Sequence, residues 1–474
     1  MESGPLRFSS TTTRRPSWTV LLCWLALGGG AGCGDGFPAG PLGWDPHITA
    51  VEAVVSEQVG TVVTLRWETA GLTRGYVEYG TDLDYGEVRY FQGSPSTLHD
   101  LPLLGLHSTT EYHYRVVVTV DGQEATHTAG TFETGSQPAE VLDAGMITDT
   151  QVPELASGGF LAFPLISNAA VPVIVDGEGN PVWWHIDEEP HQLITVVALA
   201  PDGQSIFYNS IHYDPGDEAP AEDERIVRVS LDGTEVSYLE VPRHSHTFQV
   251  HDDGTVGYLA YDPRVVDGEL IRGDRIVEYR TDGSTEFVWS VWDHLEFDPE
   301  AVYDEGTGWT HANALVYEPD EDAYYVSLRN YSCILKIDRQ TGEVIWTLGG
   351  TESDFEFVVG SPFAKQHEFD LVDGGIVVFD NGELTNMNSR VIEYELDEEL
   401  GTASGSWGYV TSPPIYVSMG GGVVRLADGN TLVTWSSAGR IDLVDPEGAR
   451  VWGLSTGLGT AVGFSSWYPS LYLD

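Results

Sequence analysis

From residue 173 onward two kinds of β-hairpin alternate, and that alternation limits the fold of this chain more than anything else in its sequence. One kind recurs as APDGQSIFYNS, VHDDGTVGYLAYD, VYEPDEDAYYVSLRN, LVDGGIVVFDNG and LADGNTLVTWSS. The other lies between them as VIVDGEGNPVWW, VSLDGTEVSYL, YRTDGSTEFVWS, IDRQTGEVIWTL and VDPEGARVWGL. Each is a pair of β-rich runs around an Asp- or Gly-containing turn, the pattern of a hairpin. Two hairpins make a four-stranded unit, and the turn acids Asp176, Asp232, Asp282, Asp338, Asp397 and Asp445 recur at roughly fifty to sixty residues. Four strands repeated at that period predict a β-propeller, and counting the units gives six blades. The expectation is an all-β chain with a six-bladed β-propeller over residues 148–474.

Ahead of the repeats, residues 48–135 hold short alternating strands such as TVVTLRWET, GYVEYGT and EYHYRVVVTVDG, with Trp67, Tyr112 and Tyr114 as core candidates. LRW followed later by TEYHYRVVV resembles a fibronectin type III domain, whose role would be spacing or docking. Residues 136–147 read as a linker. At the start, Arg14 and Arg15 precede the apolar run VLLCWLAL and then GGGAGC, the pattern of an export signal over residues 1–32. Small residues leading into Cys33 resemble the lipobox of bacterial lipoproteins, which implies cleavage before Cys33 and lipidation of its thiol. Residues 33–47 would then be a Gly/Pro-rich tether. The expected location is the bacterial envelope, periplasm or cell surface, with membrane contact only through the lipid at Cys33. Cys23 would leave with the signal, so Cys333 remains alone, without a partner for a disulfide or a Cys-based metal site.

The chain has 474 residues, and 73 acidic against 22 basic ones give a net charge of −51. Such a surface repels phosphate backbones, which argues against nucleic acid as a partner. It also makes any local positive cluster stand out. In WTHANALVYEPDEDAYYVSLRN, residues equidistant from Asp320 face each other across the hairpin, so His311 and Arg329 become cross-strand neighbours. Aligning the first hairpin type places His246, His311 and His367 in one column, with Met419 in the last unit. In a radial fold such a column converges on the axis. The opposite ends supply Tyr261 or Asp262, Arg329, and Asp380 or Asn381. Arg329 is the fixed cation among them, and its planar fork suits sulfate, phosphate or carboxylate.

Three readings of the column stay open at this level. Neutral imidazole can attack a sulfuryl or phosphoryl group while the arginine holds the non-reacting oxygens. The three histidines could instead hold a metal for hydrolysis or elimination, against which the neighbouring guanidinium counts. A non-catalytic propeller binding an anionic or aromatic ligand is the third. The chain shows neither a Walker loop nor a dinucleotide fingerprint, so a nucleotide donor is disfavoured and no cofactor or metal is expected.

WTHANALVYEPD, YYVSLRNYSCILKIDRQTGEVIWTLGG, QHEFDLVDGG, FDNG, NSRVIEYELD and GGGVVRLADGNTLVTW, in that order, resemble the arylsulfotransferases. The resemblance implies ping-pong transfer of a sulfuryl group from a phenolic sulfate ester to another phenol through a sulfated histidine. By motif the nucleophile falls on His367 in QHEFD, a partner histidine on His311 in WTHAN and the sulfate-binding arginine on Arg329 in SLRN. The remaining active-site histidine falls on His246, with the role of acid toward the leaving phenolate. Asn381, Trp309 and Tyr416 are the candidates for substrate binding, the two rings as stacking surfaces for a phenol. The cysteine pair of some family members is missing here.

Overall fold

A computed structural model describes residues 47–151, 158–167, 170–187, 193–212, 222–299, 308–383 and 388–472. The export signal, Cys33 and the tether through residue 46 lie outside these residues. Among the described residues no helix is long and apolar enough to cross a membrane.

The chain is all-β. Asp-anchored turns explain much of its regularity. In each, the carboxylate accepts a backbone N–H two to four residues on: Asp176 from Glu178, Asp232 from Thr234, Asp282 from Ser284, Asp338 from Gln340, Asp397 from Glu399 and Asp445 from Ala449. An Asx turn of this kind closes a hairpin without needing help from the rest of the fold.

Six antiparallel sheets follow one another. The first contains Phe160–Ile166, Ala170–Asp176 and Pro181–Trp184. The second contains Val197–Leu199, Ser205–Ser210, Arg225–Ser230 and Val236–Glu240. His244–Val250, Val256–Val266, Glu269–Tyr279 and Thr285–Ser290 form the third. Ala312–Glu318, Ala323–Leu328, Cys333–Asp338 and Val344–Gly349 form the fourth. The fifth has Phe369–Val372, Gly375–Asp380, Arg390–Asp397 and Thr402–Tyr409. The sixth has Gly422–Arg425, Thr431–Trp435, Arg440–Val444 and Arg450–Ser455.

Neighbouring sheets share apolar clusters, and these run around a closed ring. Ala314, Ile334 and Leu348 of the fourth sheet pack with Phe369, Ile376 and Tyr394 of the fifth. Leu432, Leu443 and Leu454 of the sixth join Val173 and Ile174 of the first. The ring is tied at both ends of the chain. Ile147–Thr150 pairs with the last strand of the sixth sheet, while Ala461–Val462 and Ser466–Tyr468 pair with the first strand of the first. A feature absent from the sequence pattern is Glu356–Val359, which adds a parallel strand at the edge of the fifth sheet.

Residues 48–133 form a separate pair of layers linked by one long strand, Val63–Gly80. Its first half pairs with Ile48–Val55 and Ser96–Leu103, its second with Glu87–Tyr90 and Glu111–Val120. Trp67, Tyr112 and Tyr114 are buried between the layers. This unit is docked onto the ring. Val59, Val62 and Leu104 enter the cluster containing Val173 and Trp183. Thr61 Oγ1 donates to the Val182 carbonyl at 2.6 Å, and His107 Nε2 meets Asp176 Oδ2 at 2.8 Å.

Candidate active site

The first strands of the third and fourth sheets pack side by side, as do those of the fifth and sixth. The starts of three of them carry the histidine column. At each start the regular ladder gives way. The register slips between His244 and Phe248 and again between Ala312 and Ala314. His246 and His311 both take left-handed backbone, at φ 56° and 53°. That region disfavours any residue with a Cβ and costs about 1–3 kcal/mol unless the surroundings hold it.

The surroundings do hold it. Asp274 Oδ2, from the third sheet, accepts from Thr310 Oγ1 at 2.5 Å and from the Ala312 amide at 2.9 Å, clamping both neighbours of His311. The His311 carbonyl accepts from the Arg329 amide at 3.1 Å, so these two residues face each other as the hairpin symmetry requires. The His246 carbonyl accepts from Asn209 Nδ2 at 3.1 Å and from the Thr195 hydroxyl. Asn313, the residue bulged out by the register slip, sends its amide to the Gln366 carbonyl at 2.8 Å, and Gln366 precedes His367. The hairpin of one histidine therefore anchors the strand of another.

His246 and His311 place their ring centroids 4.9 Å apart, tilted by 54°. His367 is buried, and its Nδ1 lies 2.7 Å from Asn381 Oδ1. The orientation of that amide is fixed, because Asn381 Nδ2 donates to the carbonyls of Val417 and Gly420, each at 2.8 Å. Its oxygen must then face His367, so Nδ1 carries the proton and Nε2 keeps its lone pair. The glycines that bring these carbonyls in are sterically required. Gly421 has φ +107°, and a Cβ there would lie 2.1 Å from the Phe379 ring. His246 and His311 differ: among the described residues their Nδ1 atoms are enclosed without a hydrogen-bond partner. No neighbour among the described residues therefore fixes the tautomer of either ring.

The electrostatics keep all three rings neutral. Burial first, and then the Arg329 guanidinium, push His367 down to about 3. Burial, His244, Arg329 and Arg272 bring His246 down to about 4. Burial, His246 and Arg329 hold His311 well below the ordinary imidazole range. Arg329 itself is half-buried, with Nη2 3.4 Å from the Ser418 carbonyl. Lys365 lies near enough to Arg329 for their charges to interact. Three neutral imidazoles and the cations Arg329 and Lys365 therefore lie close together inside a strongly acidic chain.

The structure thus brings together His246, His311, His367 and Arg329. It corrects two of the substrate-binding assignments. Asn381 has its oxygen and both amide hydrogens committed to protein groups, so its amide positions His367 and is not free to bind a ligand. Trp309 is 0% exposed, packs against Trp292 and Phe297, and donates from Nε1 to Tyr331 Oη at 2.6 Å. Its ring is core and offers no face to a ligand. Tyr416 is half-buried beside Val417, whose carbonyl holds Asn381. His244 is structural, bonded to the Leu259 carbonyl and to Asn209. Of the paired candidates at the opposite strand ends, Asp380 pairs with Arg390 and Asp262 with Ser290 and Arg264. Asp274 and Arg272 escaped the sequence reading because both sit on a third strand, outside the aligned column. Among the described residues only His107, Asp176 and Glu178 place three potential metal-ligating atoms within 4.8 Å of one another. The histidine column is not drawn together in that way.

Among curated proteins none matches this chain in sequence. Solved structures similar to it include a protein of unknown function from Bacteroides caccae, at 14% identity and TM-score 0.42 over 64% of this chain and 97% of that one. The periplasmic gluconolactonase of Pseudomonas aeruginosa is similar at 12% identity and TM-score 0.41, over 66% and 99%. The virginiamycin B lyase of Staphylococcus aureus, as an inactive variant, is similar at 10% identity and TM-score 0.36, over 64% and 87%. The family model for arylsulfotransferases matches residues 163–449, more than half of the chain and all four of the residues gathered at the site. On that match, this chain belongs to the arylsulfotransferase family.

Proposed function

We propose that the chain transfers a sulfuryl group from an aryl sulfate to a phenol in two half-reactions, through a sulfated His367 carried on a six-bladed propeller and without a nucleotide donor. The observation that supports this most directly is the Asn381 amide, which pins the His367 proton on Nδ1 and leaves Nε2 as a neutral nucleophile beside Arg329. Nε2 attacks sulfur, the S–O bond to the aryl group breaks, and its electron pair leaves on the phenolate oxygen. Arg329 and His311 hold the non-reacting sulfuryl oxygens. A bound sulfate ester raises the proton affinity of His246, because an opposite charge favours the imidazolium. His246 thus gains its proton with the donor and passes it to the leaving phenolate. An acceptor phenol then gives its proton to His246, its oxygen attacks sulfur, and the N–S electron pair returns to Nε2.

The test uses the chain from residue 34 onward with a chromogenic aryl sulfate. Phenol release should accelerate with added acceptor, persist in the presence of a chelator, and vanish in His367→Ala. Rapid alkaline quenching followed by peptide mass spectrometry should find one sulfuryl group on His367 when donor is present without acceptor. Turnover in the wild type without a sulfated histidine would exclude the two-step route. No phenol release under any condition would leave an anion-binding site without chemistry.

A further inference from the structure

Arg272 lies two residues before Asp274 on the strand Glu269–Tyr279, and side chains two apart on a strand share a face. Asp274 shows where that face points, since its carboxylate bonds Thr310 and Ala312 on either side of His311. The Arg272 carbonyl accepts from the Trp309 amide at 2.8 Å, which fixes this strand against the His311 segment. The guanidinium carbon lies 5.2 Å from the centroid of the Tyr261 ring. Tyr261 is the third-sheet counterpart of Arg329: its amide donates to the Arg243 carbonyl as that of Arg329 donates to His311. Both Tyr261 and Arg272 are half-buried. The charge of Arg272 is felt at both His246 and His311.

Many of the other arginines pair directly with carboxylates. Arg225 pairs with Asp187, Arg339 with Glu278, Arg390 with Asp380, Arg425 with Glu393 and Arg450 with Asp442. In a chain of 73 acidic and 22 basic residues a carboxylate is seldom far from an arginine. Among the described residues Arg272 makes no direct ion pair: its charge reaches the buried Asp274 carboxylate, and its side chain lies over the Tyr261 ring. A guanidinium stacked on a tyrosine has its planar face committed to the ring while its N–H edge stays available for an anion. Arg329 already serves the sulfuryl oxygens.

We propose that Tyr261 and Arg272 form a subsite for an aromatic ring bearing a carboxylate, so that the preferred phenols of this site are hydroxyaryl acids. This rests on the sulfuryl-transfer reading and adds to it the class of ring the site selects. The carboxylate pairs with the Arg272 edge, and the ring lies beside Tyr261 with its hydroxyl toward His246.

Two experiments test it. The first compares 4-hydroxybenzoate with 4-cresol, which replaces the carboxylate by a methyl group, as acceptors from 4-nitrophenyl sulfate. In the wild type the kcat/KM ratio should favour hydroxybenzoate, and in Arg272→Met the ratio should fall by about tenfold or more, the worth of one charge-assisted hydrogen bond. Arg272→Lys should restore part of it. The ratio cancels any general loss of folded or active enzyme. An unchanged ratio, or a wild type that prefers cresol, overturns the proposal. The second measures 4-hydroxybenzoate binding by calorimetry without donor, in the wild type and in Arg272→Met. Weakening by about tenfold supports the subsite, and equal affinity overturns it. If binding depends on Arg272 but neither phenol is sulfated, the subsite stands and the transfer reading fails.

Discussion

His246, His311 and His367 look alike in the sequence, and the structure gives them different surroundings. Asn381 makes His367 a lone-pair donor at Nε2, whereas the enclosed Nδ1 atoms of His246 and His311 have no such partner among the described residues. Replacing Asn381 by Ala frees the His367 ring to rotate and to change tautomer. The expected result is a fall in kcat on the order of 100-fold with KM little changed, measured by steady-state kinetics. A second expectation concerns protons. Free His246 titrates at about 4, and a bound sulfate ester raises that value. Between the two values binding takes up a proton, so donor affinity should fall as pH rises and level off above the bound-state value. Calorimetry of an aryl sulfate with His367→Ala, in buffers of different ionisation enthalpy, should read net proton uptake. Zero uptake near neutral pH would remove His246 as the acid. The histidine column and Arg329 were legible because chemical type and alignment suffice to find them. The role of Asn381 was not, since a motif shows which residues are near and not where an amide spends its hydrogen bonds.

At the scale of a hairpin, Asn313 shows how local irregularity builds the site. The strands Ala312–Glu318 and Ala323–Leu328 pair Glu318 with Ala323, a register centred half a residue beyond Asp320. The slip at Asn313 shifts the pairing back, so Ala312 meets Leu328 and His311 faces Arg329. Symmetry about Asp320 thus predicted the right neighbours at the functional end, although the turn itself is displaced. The displaced residue is buried, with Oδ1 accepting from Ser327 Oγ and Nδ2 donating to Gln366. Asn313→Ala leaves Ser327 and the Gln366 carbonyl without these partners, at about 1–3 kcal/mol for each group left unsatisfied. Thermal denaturation should show a lowered midpoint, and single-turnover release of phenol from an aryl sulfate should slow because the strand of His367 loses an anchor. Asp274→Ala should act on the same hairpin by another route. With Thr310 and Ala312 unclamped, the left-handed turn at His311 relaxes and kcat should drop by roughly 10–100-fold, while Asp274→Asn, which keeps an acceptor oxygen, should retain most of it. The parallel strand Glu356–Val359 could not be foreseen, because its partner lies far along the chain and no turn announces the pairing.

For the whole molecule, the repeat of turn acids marked six units, and each acid lies in a hairpin of one of six successive sheets, three of them four-stranded and the first, fifth and sixth five-stranded. The docking of residues 48–133 was not visible, since Val59, Val62 and Leu104 read as ordinary strand and turn residues until Trp183 and Val173 appear against them. A shared core predicts shared unfolding. Scanning calorimetry of residues 47–474 should show one cooperative transition, and Leu104→Ala should shift all of it by about 2–5 kcal/mol of stability. Two resolved transitions, with only the first moved by the substitution, would mean that the sandwich and ring melt independently. The crossed closure carries a consequence in time. Ile147–Thr150 finishes a sheet whose other strands are made last, and Ser466–Tyr468 finishes a sheet whose other strands are made early. Each end waits for the other. No growing or truncated polypeptide that stops before residue 466 contains a completed first sheet, so the ring acts as a length check: synthesis must reach that strand before the histidine column has a closed circle to stand in.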